Sequence, residues 1–121
     1  MAITDDIDEF FATLTSYATG SYLRDDERTW WDAPFDVAVL PQLRAIVDEF
    51  VAVMQAIEPN EEAVHAAVTR FEEEITAFNA ENGYAVIEPE EAADLRLIVK
   101  KVLRLAHVDG AYINSLEFLE E

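Results

Sequence analysis

The chain has 121 residues, no cysteine, and 26 acidic against eight basic residues, for a formal net charge of −18. That length suits one domain with a single hydrophobic core, and the lack of cysteine excludes disulfides, thiolate metal sites and cysteine nucleophiles. The charge opposes direct contact with nucleic acid or anionic membranes and favours basic proteins. No apolar run approaches the ~18 residues of a membrane span. The opening MAITDDIDEFF is acidic where a secretory signal would be basic, so the expected location is cytoplasmic.

The first predicted helix starts at Asp6, which pairs with Glu9 in a capping-box-like pattern. Ile7, Phe10, Phe11, Leu14 and Tyr17 follow at helical spacing, and Gly20 supplies the stop. Residues 21 to 40 read as an irregular connection with one helical turn around DDERTWW. Inside it lies RTWWDAPFD, residues 28 to 36, where Trp30, Trp31 and Phe35 stand among acids. Adjacent side chains diverge by about 100° or more on a helix or strand. One tryptophan is therefore expected to plug the space between the first two long helices, beside Phe35. The other is left exposed within a rim of Asp25, Asp26, Glu27, Asp32 and Asp36.

Pro41 suits the first turn of the second helix, having no N–H to lose there. Leu43, Ile46, Val47, Phe50, Met54 and Ile57 form its stripe, and Pro59 ends it. Asn60 caps the third helix, whose stripe is Val64, Ala67, Val68, Phe71, Ile75 and Phe78, with Gly83 at its close. YAVIE, residues 84 to 88, alternates weakly, and a small extended element is expected there or at 36 to 40. Pro89 opens the fourth helix, with Glu90 and Glu91 in its first turn, where the dipole favours acids. Leu95, Ile98, Val99, Val102, Leu105 and Ala106 carry it to Asp109-Gly110, read as a stop and turn. Ile113, Leu116 and Leu119 predict a short helical turn that packs back. A Leu-Arg-x-Ile-Val pattern recurs at Leu43–Val47 and Leu95–Val99. Four stripes of this length can be covered only by one another. The expected fold is an all-α, antiparallel four-helix bundle forming a single acidic domain over residues 1–121.

The motifs argue against catalysis. HVDGAYINSLE superficially matches a calcium loop, but aligning Gly110 with the loop glycine puts Leu105 and Leu116 where carboxylates are required. Glu62-x-x-His65 is half of a di-iron pattern. The other histidine, His107, has Arg104 at the corresponding position, and helical phase turns Glu62 and His65 away from Val64. There is no glycine-rich phosphate loop, and no serine or threonine sits in a nucleophile context. No catalytic residue, metal or cofactor is expected.

Two surfaces stand out instead. On the fourth helix Arg96, Lys100 and Arg104 lie at i, i+4 and i+8, flanked by Lys101 and His107, with Leu97 pointing outward. These cations complement the helix dipole or pair with neighbouring acids. Otherwise Arg96, Leu97, Lys100 and Arg104 form a secondary interface with a second copy. The third helix carries six acids and one base between Glu61 and Glu81, but consecutive Glu72, Glu73 and Glu74 fan around it, unlike a row of phosphates. The 25–36 segment joins an aromatic anchor to dense negative charge, the composition of a hot spot for a basic partner. The residues expected to bind are Trp30, Trp31, Asp25, Asp26, Glu27 and Asp32. The expected function is a non-enzymatic acidic module that masks a basic protein, such as a nuclease or another DNA-binding protein. The alternative is a homo-oligomeric structural or adaptor protein, a homodimer among the possibilities, that uses the basic face of the fourth helix.

Overall fold

Apolar residues spaced three and four apart can share one face only on a helix, and every long stripe in this chain becomes one. The structure, a computed structural model, describes residues 2–28, 31–58 and 60–119. It contains α1 (Ala2–Thr19), a single turn α2 (Asp25–Arg28), a 3-10 turn (Val37–Val39), α3 (Leu40–Ala56), α4 (Glu61–Glu81), α5 (Pro89–Leu105) and α6 (Gly110–Ser115). The fold is an all-α bundle, with no strand among the described residues. No described helix is long and apolar enough to cross a membrane.

α3 is the hub. It packs on α4, on α1 and on α5, while α1 also packs on α5 and α6 folds back onto α5. Both Leu-Arg-x-Ile-Val copies serve this core, since Leu43, Val47, Leu95 and Val99 are all buried. Polar ties between helices lie at the edges. Arg44 of α3 reaches Asp8 of α1 at 2.9 Å and its own Asp48 at 3.2 Å, while lying over the Phe11 ring. Lys101 of α5 holds Asp6 of α1 at 2.7 Å.

Several boundaries differ from the sequence reading, each for a local reason. α1 begins before Asp6 because Ile3 extends the apolar stripe by one turn and is buried with Ile7. YAVIE forms no strand. Its backbone finds a side-chain partner instead: Asn79 Nδ2 donates to the Ile87 carbonyl and Asn79 Oδ1 accepts from the Ile87 N–H, both at 2.9 Å. The 36–40 stretch is not extended either, because Asp36 accepts from the Ala38 N–H and caps the 3-10 turn.

α5 stops at Leu105, short of Asp109-Gly110. His107, at φ +64°, takes the left-handed position of a Schellman motif, with His107 N–H to Arg104 O and Val108 N–H to Leu103 O. Leu103 and Val108 are both buried, which supplies the apolar contact that accompanies this motif. Asp109-Gly110 therefore starts α6 and does not end α5. Leu105, a core position by spacing, is half exposed as a result of its place in that last turn.

The C-terminal segment does more than cover a face. Phe118 is fully buried and stacks on Phe71, which itself stacks on Phe50. Arg96 of α5 donates to the carbonyls of Phe118 and Leu119, and Glu72 of α4 accepts from the Leu119 N–H at 2.6 Å. Residues 118 and 119 thus bridge α4 and α5, and they complete the bundle with a segment that is not helical.

Candidate functional site

The end of α1 is shaped by one glycine. Gly20 has φ +70°, a conformation that L side chains rarely adopt, and the Trp31 indole lies directly against it. A β-carbon at position 20 would sit 2.8 Å from the Trp31 ring. The indole is half-buried, and Phe35 beside it is buried, so this part of RTWWDAPFD closes the end of the bundle. Trp30 lies outside the described residues.

Trp31 also forms one wall of a cleft of about 480 Å³, a volume in the range of ligand pockets. Tyr17 and Tyr22 also line it, their rings meeting edge to face with centroids 5.9 Å apart. The buried Phe35 and Val86, with Pro34 and Pro89, supply the apolar part of the lining. The rim is acidic, formed by Asp32 and by Glu88, Glu90 and Glu91 at the start of α5. The Asn79 clamp on Ile87 orients this start, because it fixes the residue just before Glu88.

Glu88 and Glu91 form a reciprocal capping box: each side chain accepts from the other's backbone N–H. Capping accounts for their presence at a helix start. It does not account for Asp32, for the aromatic walls, or for the burial of Glu91, which is only 8% exposed. Burial pushes the Glu91 carboxyl above the usual glutamate range, and repulsion from Glu88, Glu90 and Asp94 adds to this, against a bond from the Glu88 N–H that lowers it. One Glu91 oxygen takes that N–H at 3.2 Å. The other has no protein partner among the described residues, and since no fully buried side-chain oxygen is left unsatisfied it keeps some exposure, on a residue that lines the cleft.

None of the four rim carboxylates is paired with a cation among the described residues. Among the described residues four basic side chains are engaged elsewhere: Arg24 with Asp26 and Glu27, Arg44 with Asp8 and Asp48, Arg70 with Glu49 and Glu74, and Lys101 with Asp6. No three His, Asp or Glu side chains among the described residues come close enough to share a metal ion. Glu62 and His65 are exposed on α4, as their phase predicts. The rim acids are therefore spread around an extended space and do not converge on a point.

The sequence-predicted residues divide accordingly. Trp31 and Asp32 line the cleft, whereas Asp25, Asp26 and Glu27 are exposed on α2, where Arg24 already neutralises part of their charge. Tyr17, Tyr22, Glu88, Glu90 and Glu91 belong to the cleft although no sequence signal marks them for it. Glu88, Glu90 and Glu91 lie more than fifty positions from Trp31, Tyr17 carries the spacing of a core residue, and Tyr22 stands in the irregular connection without a pattern of its own. In the secondary surface Arg96 is held by the C-terminal carbonyls and Lys101 by Asp6. Leu97, 61% exposed, remains with Lys100 and Arg104 on the outer face of α5. Comparison with protein-family models, curated proteins and solved structures finds no match to this chain.

Proposed function

We propose that this protein is a non-enzymatic acidic module that binds and masks a basic protein, in the manner of an immunity protein, antitoxin or phage-encoded inhibitor. A nuclease or another DNA-binding protein would present the required basic surface. The observation that carries this reading is the rim of carboxylates without cations beside the half-buried Trp31. An aromatic anchor in an acidic rim combines contact energy with long-range attraction, and those two contributions act on different rate constants.

The test is capture from a lysate of the source organism, at low and at high salt, followed by kinetics with the captured protein. A basic protein retained at low salt and released at high salt is expected. Trp31→Ala should weaken it by about 2 kcal/mol, chiefly through faster dissociation. Neutralising Asp25, Asp26 and Glu27 together should slow association and flatten its salt dependence. Failure to retain any basic protein at low salt would defeat the proposal.

The exposed Leu97, on the same helix as Lys100 and Arg104, supports a second reading, self-association through the outer face of α5. Light scattering at two salt concentrations tests it. A dimer that Leu97→Glu dissolves would favour it over the first.

A further inference from the structure

We propose that the Trp31 cleft is the seat of a single arginine side chain supplied by the basic partner. The inference rests on the masking function just proposed and names the group that function recognises. Three features converge on a guanidinium. The lining includes the aromatic rings of Tyr17, Tyr22 and Trp31, and a planar, weakly hydrated cation stacks favourably on such rings. Glu91 is nine-tenths buried, lines the cleft and has one oxygen without a hydrogen-bond partner among the described residues, so a donor entering there meets a largely buried carboxylate. The remaining acids, Asp32, Glu88 and Glu90, stand around the opening with no internal cation among the described residues to neutralise them.

Shape separates arginine from other cations. The carboxylates do not converge to hold a metal ion. A lysine ammonium is a compact, strongly hydrated point charge and would gain little from flat aromatic walls. A guanidinium fork can meet Glu91 with one edge while its face covers an aromatic ring. The cleft, about 480 Å³, also has room for the apolar stem of the side chain against Phe35 and Val86.

The probes are three blocked pentapeptides, glycine throughout except for a central arginine, lysine or citrulline. Each is titrated into isotope-labelled protein and followed by NMR. The arginine peptide should move the signals of Trp31, Tyr22 and Glu91, and bind about tenfold more tightly than the neutral citrulline peptide. The lysine peptide should fall between them. Glu91→Gln keeps the acceptor for the Glu88 N–H and should weaken the arginine peptide about fivefold to tenfold. Tyr22→Ser, at an exposed position that leaves the core intact, should weaken it about threefold. Circular dichroism and melting confirm that both variants stay folded.

Equal binding of all three peptides, shifts confined to other acidic faces, or insensitivity to both variants would overturn the inference. The two proposals fail separately. A salt-sensitive basic protein captured equally well by Glu91→Gln and Tyr22→Ser would leave masking in place and remove the arginine seat. Arginine-specific binding in the cleft without any captured basic protein would leave the seat and remove masking.

Discussion

At Gly20 a backbone conformation and a neighbouring ring make the same demand. The positive φ disfavours any side chain, and the Trp31 indole occupies the space a β-carbon would need. Gly20→Ala should therefore cost about 2 kcal/mol, combining left-handed strain with displacement of the indole. Urea unfolding followed by tryptophan fluorescence would measure it, and a cost below about 0.5 kcal/mol would mean that the indole does not lie there. Glu91 gives a second residue-scale expectation, with a definite sign. Its carboxyl is raised by burial and by like charges, so between the ordinary glutamate value and the raised one the folded state binds more protons than the unfolded chain. Stability of the wild type through this group thus falls as pH rises across that window, and the loss is complete above it. Glu91→Gln removes the titration while keeping the capping bond. It should be at least as stable as the wild type at neutral pH, and the difference should shrink as pH is lowered toward about 5, still above the isoelectric point near 4.1. A gap that widened on acidification would contradict the assignment.

The elements show how local signals and long-range packing share the work. Asn60 caps α4 by accepting the Ala63 N–H, Pro89 lies in the first turn of α5, and Gly83 takes the left-handed position after α4. Each of these uses residues within one turn of one another, which is why the sequence displays them. The C-terminal segment is different. Phe118 stacks on Phe71 at 5.4 Å across 47 positions, and its carbonyl is held by Arg96 at 2.9 Å. No periodicity marks Phe118, because the segment around it is not helical and touches two helices remote in sequence. Phe118→Ala should destabilise the domain by about 3–5 kcal/mol, as expected for a truncated buried phenylalanine. Arg96→Met retains the stem but loses the two carbonyl bonds and should cost about 1–3 kcal/mol. It should also speed proteolytic cutting after residue 115 before global unfolding begins. If Arg96→Met leaves both stability and cutting unchanged, the tail is not a structural part of the bundle.

Across the whole molecule, unbalanced charge governs the electrostatics. Three ion pairs that join helices among the described residues, Arg44–Asp8, Arg70–Glu49 and Lys101–Asp6, have at least one partner substantially exposed, and such pairs contribute at most about 1 kcal/mol each. Against them stands the mutual repulsion of a net −18. Salt should therefore stabilise the fold. Between 0.01 M and 0.1 M the screening length drops from about 30 Å to about 10 Å, so the melting temperature should rise across that range. A falling melting temperature would show that attractive pairs outweigh the repulsion. The same balance gives the candidate site its meaning, because the rim acids of the cleft are among those without a cation among the described residues. The all-α class, the four long stripes, the caps and the aromatic-acidic character of residues 25–36 could be read from one dimension, since each depends on neighbours within a few positions. The cleft could not. Tyr17, Trp31 and Glu91 meet only after α1 and α5 have docked and Asn79 has clamped the connection at Ile87. Helical spacing states which face of a segment is buried. Which ends then stand together, and which carboxylates are left without a cation, is set by packing between residues tens of positions apart.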